Sequence, residues 1–334
     1  MPKVSVLIPT YNCAKYIGKA IQSALEQTFE DFEITVSDNA STDNTEEIVK
    51  RFKDSRIRYY KNRENIGYTR NVRKLIYELA RGEHFIILCA DDYWIGDILK
   101  IGENILDKKK KITFVHTAFI VMNIIDHVNY EVIFKEMKEI TPGDQMFRLL
   151  STDRKFWIAL PSCIFRRKEV MEVRGFMDDK IICASDWELY LKLSLRGDVG
   201  YIKEPVVAYR WHPDNLSNLV NIKDRFYERL YIVDKIFEES GSKRLLTEWR
   251  NCAIESQWKN FVKSFPSLKA SFGRSLEVLN CIREVYSGRK IILLDIRLFP
   301  YLASALFFPS AFLRLLRRLH KISGKKDIRG SVYG

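Results

Sequence analysis

The sequence predicts an α/β protein: a mostly parallel sheet with helices on both faces, followed by a helical C-terminal region. Three observations carry that reading. Short β-branched runs alternate with helical periodicities over residues 4–92. Polar clusters follow the ends of three of those runs. Beyond residue 220, apolar residues return every three or four positions.

The elements follow in order. Val4-Ser5-Val6-Leu7-Ile8 reads as a buried strand that Pro9 ends. Ile17, Ala20, Ile21, Ala24 and Leu25 recur at helical spacing, and Phe32 to Ser37 is a second strand. The polar stretch Asp38 to Thr45 then caps a helix, with Asn44 or Thr45 before Glu46 and Glu47. Ile57 to Tyr60 is a third strand, Val72 to Ala80 a helix, and Phe85 to Leu88 a fourth strand that runs into Cys89-Ala90-Asp91-Asp92. In such sheets ligands bind at the carboxyl ends of the strands. Thr10-Tyr11-Asn12, Asp38-Asn39 and Asp91-Asp92 all fall there. Thr113 to Met122 is a later strand, Asp126 to Glu139 a loop or hairpin, and Asp186 opens a helix with Trp187, Leu189 and Leu193 turned inward.

Composition narrows the function. The 334 residues are 46% hydrophobic and 29% charged, which is globular rather than disordered. Six cysteines without CxxC spacing suit a reduced, cytosolic chain. The net charge is +12, but from Cys281 onward eleven Lys/Arg face three acids, so +8 of it sits in the tail and nucleic acid is not the expected partner. The short apolar run after Lys3 is no signal peptide, and no stretch of eighteen uninterrupted apolar residues occurs. Neither GxGxxG nor GxxxxGK[ST] is present, so a nucleotide must be held by side chains and a metal. Adjacent carboxylates at a strand end suit a hard cation, Mg²⁺ or Mn²⁺.

Taken in order, Val4–Asn12, Gln27-Thr28-Phe29, Ser37–Thr45, Asn65-Ile66-Gly67 with Arg70-Asn71, Gly82-Glu83 and Ala90-Asp91-Asp92 resemble the family 2 glycosyltransferases of the GT-A fold. Leu160–Arg167, Gly175-Phe176, Ser185–Leu193 and Tyr209–Ser217 continue the match, which covers roughly residues 1–215. The resemblance implies an inverting transfer from a nucleotide-sugar donor, UDP-linked, to a saccharide or polyprenyl-diphosphate-linked acceptor. It puts Thr10 and Tyr11 at the base and ribose, Asp38 on a uracil ring nitrogen, and Arg70 and Asn71 near the donor's phosphates or sugar. Asp91 would hold the ribose or donor sugar, Asp92 would coordinate the metal, and His212 would lie near metal and diphosphate. Ala90 stands where the family's Asp-x-Asp motif has its first acid. Asp186, which by helix rules is an N-cap acid, would be the catalytic base, with Glu188 as the fallback.

The implied organisation is a donor-binding half over 1–110, an acceptor-binding half over 111–220, a helical extension over 221–290 and a basic tail over 291–334. In that tail Leu298–Leu313 carries no charge and precedes Arg314, Arg317, Arg318, Lys321, Lys325 and Lys326, a pattern expected of a segment lying on the cytoplasmic face of the membrane, or of a buried terminal helix or an oligomer contact. The competing expectations are a sugar-phosphate nucleotidyltransferase and a catalytically degenerate membrane-binding module. The first usually carries a Gly-rich basic loop after strand one, where this chain has Pro9-Thr10-Tyr11-Asn12.

Overall fold

The computed structural model describes residues 1–153, 156–213, 215–220, 222–240 and, beyond these, 249, 250, 252–254, 256 and 257. The chain divides into two compact units, Met1–Ser256 and Gln257–Gly334. The expected basic tail and most of the expected helical extension lie outside the described residues.

The described elements are β1 (Val4–Thr10), α1 (Ile17–Leu25), β2 (Phe32–Asp38), α2 (Thr45–Arg51), β3 (Ile57–Lys61), α3 (Tyr68–Lys74), β4 (His84–Ile87), β5 (Tyr93–Trp94) and α4 (Ile98–Lys108), followed by β6 (Ile112–Met122), β7 (Val128–Val132), β8 (Ile140–Thr141), α5 (Gly143–Thr152), β9 (Cys163–Arg166), α6 (Arg167–Glu172), α7 (Ser185–Ser194), β10 (Asp198–Arg210), α8 (Leu216–Leu219) and α9 (Ile222–Glu239). One sheet runs β3-β2-β1-β4-β9-β6-β10-β5, with β7 added to β6 and β8 to β10. β1, β2, β3 and β4 are mutually parallel, and so are β6 and β10. β9 is antiparallel to both β4 and β6 and joins the two blocks.

The β-branched runs form strands because both faces of the sheet are covered. Every residue of β1 and β2 is buried, and Val4, Val6, Ile8, Ile34 and Val36 share a core with Ile17, Ala20, Ile21 and Ala24 of α1. Fully burying each such side chain is worth roughly 1.5–3 kcal/mol before the entropy of ordering it is subtracted. Gly82 lets the chain enter β4, since a Cβ there would lie 2.6 Å from the Ser5 nitrogen and from the His84 carbonyl oxygen. Gly67, at φ +83°, opens α3 in a conformation L side chains rarely adopt.

Several boundaries differ from the sequence reading; α3, for one, begins at Tyr68 rather than Val72. β1 does not stop at Pro9 but runs to Thr10, paired with β2 as Pro9↔Ser37 and Thr10↔Asp38. The β4 ladder on the other side ends at Leu7↔Ile87, so the missing proline N–H costs no bond there. Asn44 is the N-cap residue of α2, as expected, but its side chain makes no cap hydrogen bond. The Asp43 carboxylate accepts from the Thr45 N–H at 3.0 Å and from the Ala14 N–H at 3.0 Å, so it ties the helix to the loop after β1.

Of the histidines given no role, His84 packs its Nδ1 2.8 Å from the Glu103 carboxylate at the far end of the sheet. His116 lies among Phe114, Phe134, Phe156 and Tyr201, where burial lowers its pKa to about 3. His127 is exposed at a hairpin turn, and His320 lies outside the described residues.

Candidate active site

All the chemistry-bearing residues collect along one edge. The carboxyl ends of β1, β2, β3, β4, β6 and β10 point the same way, and the residues leading into β9 reach that edge too because β9 runs opposite. A cleft of about 420 Å³ lined by Ile101, Asn104, Ile105, Glu139, Tyr201 and Ile202 lies off this edge, beside α4 and the first half of β10.

The corner formed by β1–β3 is a dense hydrogen-bond network, although the buried Thr10 hydroxyl has no partner in it. Asp38, fully buried, accepts from the Ser41 N–H at 2.7 Å and from the Tyr59 hydroxyl at 2.6 Å. The Asn39 N–H reaches the Thr10 carbonyl at 2.8 Å, and its side chain is bonded to Asn62, Asn65 and the Ile66 N–H. Asn71 is buried beneath: its Oδ1 accepts from Ser37 at 2.7 Å and Asn62 at 3.0 Å, while its Nδ2 donates to the Ser37 carbonyl at 2.9 Å. The loops after β1 and β2 are stitched by the bonds Asn12 N–H to Ser41 Oγ and Thr42 N–H to Asn12 Oδ1, with Asn12 and Ala40 both at positive φ. Tyr11 remains exposed at the rim. Arg70, one position from Asn71, points outward and pairs with Asp179 at 2.9 Å.

The second corner joins the end of β4 to the residues after β10. His212 Nε2 lies 2.9 Å from Asp91 Oδ2, which also accepts from Asn215 Nδ2 at 3.3 Å. Tyr16 stacks on the His212 ring with centroids 5.9 Å apart. Asp92 is buried and accepts the Arg210 N–H at 2.6 Å. Burial, then the neighbouring Asp91 charge, pushes the Asp92 carboxyl well above the usual carboxylate range. The sequence reading set Asp92 with His212 as the metal pair; the acid in contact with the imidazole is Asp91. Arg210, whose function was not foreseen, joins the parts: its Nε donates to the Asp91 carbonyl at 2.8 Å and its guanidinium covers the Tyr16 ring at 4.7 Å.

The donor set fits a hard divalent cation. Asp91 Oδ2 and His212 Nε2, a hydrogen-bonded pair at 2.9 Å, offer an oxygen and a nitrogen that a cation would take up in place of the bridging proton. Cys89, Asp91 and Asp92 also offer ligand atoms within 4.8 Å of one another. The Cys89 thiol is a poor candidate, because burial and the two aspartates drive its pKa well up and hard cations prefer oxygen.

Asp186 is the second residue of α7 rather than its cap, which is Ala184. The amides of Cys183 and Ala184 are instead satisfied by Glu228 Oε1 at 2.8 and 2.7 Å. Burial raises the Asp186 carboxyl to about 6, against the bond it accepts from the Trp187 N–H at 2.7 Å. It lies within electrostatic reach of Tyr68, Cys89 and Tyr209, which border the Asp91 corner. Glu188, the fallback base, is turned into the interior between Lys192 at 3.0 Å and Lys235 at 2.8 Å, and so is spent on ion pairs.

Comparison with known proteins follows this geometry. The family model described as Glycosyl transferase family 2 matches residues 5–175. An uncharacterised glycosyltransferase of Rickettsia typhi is 28% identical over 271 residues, 78% of each chain. A UDP-Glc:α-D-GlcNAc-diphosphoundecaprenol β-1,3-glucosyltransferase of Escherichia coli is 39% identical over 95 residues, 28% of this chain and 38% of that one. The crystal structure of Staphylococcus aureus TarS 1–349 in complex with UDP-GlcNAc superposes with a TM-score of 0.68 at 21% identity, covering 91% of this chain and 87% of that one, and so shares the fold.

Proposed function

The chain belongs to glycosyl transferase family 2 and is a transferase enzyme of the GT-A fold; from that premise we propose an inverting, metal-dependent glycosyltransferase that takes sugar from a UDP-linked donor to a saccharide or polyprenyl-diphosphate-linked acceptor. The 2.9 Å contact between Asp91 and His212 carries the reading, because it brings together an oxygen and a nitrogen that would serve as cation ligands, beside the raised Asp92 carboxyl. The UDP-GlcNAc held by TarS and the diphosphoundecaprenol-linked acceptor of the E. coli relative support the donor and acceptor classes.

In this assignment Asp91 and His212 would hold Mn²⁺ or Mg²⁺, and Asp92 fixes the end of β10 through the Arg210 N–H. The cation supplies charge neutralisation on the leaving diphosphate. Thr10 and Tyr11 border the base and ribose. Asp38 acts at the uracil side, where it already fixes the turn at Ser41. Arg70 exchanges Asp179 for the donor's phosphates, and Asn71 holds the carboxyl end of β2 through Ser37. Asp186 accepts the acceptor hydroxyl's proton as that oxygen attacks the anomeric carbon from the face opposite the diphosphate. A carboxyl raised to about 6 is ionised at neutral pH yet more basic than an ordinary aspartate. Residues 1–110 and 111–220 then serve as donor and acceptor halves. The basic tail over 291–334 would hold the enzyme on the cytoplasmic face of the membrane. Among the described residues no helix is long and apolar enough to cross one.

A thermal-shift panel of UDP, GDP and their sugar conjugates, with and without Mn²⁺, tests the reading. A site filled to a hundred times its Kd stabilises by about 2.7 kcal/mol. UDP compounds should raise Tm only with metal present. Equal response to GDP would remove the UDP assignment, and no response to any nucleotide would remove the donor site.

A further inference from the structure

Beside the site, the turn between β6 and β7 carries an apolar tip with no core beneath it. Ile124 is 45% exposed, Ile125 77%, Val128 46% and Tyr130 54%. Trp211, 52% exposed, follows β10 and bonds its N–H to the carbonyl of Met122, the residue paired with Val128. Exposed apolar residues are ordinary singly, but four within seven positions of one hairpin make a patch.

The tip is held rather than slack. Asn123 Oδ1 accepts the N–H groups of Ile125 at 3.0 Å and His127 at 3.1 Å, and the Asn123 N–H returns to the His127 carbonyl at 3.0 Å. Asp126, at φ 61°, is the sole acid from 123 to 130, and two cations hold it: Lys19 at 2.7 Å and the Arg210 guanidinium. Glu131 follows on the opposite face of β7 from Tyr130. Arg210 also holds the Asp91 carbonyl, so one buried side chain fixes both the metal corner and the apolar tip.

We propose that this hairpin docks on an anionic lipid surface, Ile124 and Ile125 entering the interfacial layer while Tyr130 and Trp211 lie at headgroup level. Position along the hairpin favours lipid over a protein partner. Ile124 and Ile125 lie in the turn itself, and the amphipathic aromatics Tyr130 and Trp211 lie behind them, the order that a membrane interface selects. The tip's one acid is neutralised, and Lys15 is exposed at the start of the neighbouring α1 segment, so anionic headgroups meet no free negative charge from 123 to 130. Docked this way, the acceptor edge of the site faces a membrane-borne substrate. The surface is distinct from the C-terminal tail, and its test needs no turnover, so it stands or falls apart from the transferase reading.

Hydrogen exchange read by mass spectrometry on the full chain tests it, with vesicles of phosphatidylglycerol and phosphatidylethanolamine and with phosphatidylcholine as the neutral control. Exchange over residues 123–130 should slow at least threefold on the anionic vesicles. The Ile124→Asn/Ile125→Asn variant should return it to the rate of the free protein while keeping its metal-dependent UDP shift. Unchanged exchange over 123–130 would overturn the proposal, even if the chain sediments with the vesicles. So would slowing that survives in the variant, or slowing that appears without vesicles as protein concentration rises, which would mark a contact between copies. Equal slowing on phosphatidylcholine would overturn the anionic requirement.

Discussion

The two corners of the catalytic edge are built on opposite terms. At the ends of β1–β3, buried polar groups satisfy one another: Asp38, Asn39, Asn62 and Asn71 are bonded to protein partners. At the end of β4 and the start of α7, burial works against the charge of Asp92 and Asp186, and Asp91 adds repulsion at the first. The first arrangement stabilises, because buried polar groups gain once every partner is present. The second costs stability, and such costs persist where charge is put to use. The comparison teaches which acids the fold has already satisfied and which it holds at a cost, even though both sets lie on one edge.

The comparison breaks most sharply at Asp186. Asp186→Asn should lower transfer by about 10²–10⁴-fold, the usual worth of a general base, and leave metal-dependent UDP binding intact. Radiolabelled sugar transfer and thermal shift measured on the same sample separate the two. If both fall together, Asp186 belongs to the scaffold.

At the β1–β3 corner the expected loss is in folding. Asn71→Ala strands the Ser37 hydroxyl and carbonyl and an Asn62 donor, costing about 3 kcal/mol by denaturant unfolding. An unchanged midpoint would mean that the network relaxes without it.

The same logic makes Asp186→Asn stabilising. Since folding raises this carboxyl from 3.8 to about 6, the folded protein binds more protons than the unfolded chain between those values, and stability falls as pH rises through that window. The variant should therefore gain on the order of 1–3 kcal/mol at neutral pH and nothing below pH 4, as chemical unfolding at the two pH values would record. The smallest effect is expected at Ala40, whose φ of 65° glycine adopts freely: Ala40→Gly should gain about 0.5 kcal/mol once the extra entropy of the unfolded glycine is subtracted.

Much of the fold was legible because buried parallel strands read as unbroken apolar runs, and β1, β2 and α1 fall where those runs and periodicities lie. α9 was legible the same way, with Phe226, Leu230 and Val233 buried at helical spacing. The site was legible as polar clusters at strand ends. Which neighbour in a cluster faces the ligand was not. Asp91 and Asp92 differ by where β10 returns, about 120 residues later, to offer His212 to one and a backbone N–H to the other. Arg70 and Asn71 adjoin in sequence but lie about 100° apart on α3, one outward and one sealed beneath β2. Arg210 gave no local signal, because its importance lies wholly in partners from β4, the β6–β7 turn and the loop before α1.

In the proposed site, Asp91 with His212, rather than Asp92, would form the cation's first contact. The most direct test is Mn²⁺ titration of UDP-dependent thermal stabilisation in the parent chain, Asp91→Asn, His212→Ala and Asp92→Asn. The account predicts that the first two variants lose the metal-dependent shift at every Mn²⁺ concentration, while Asp92→Asn keeps one from an altered baseline Tm. A shift abolished in Asp92→Asn and intact in Asp91→Asn would contradict it.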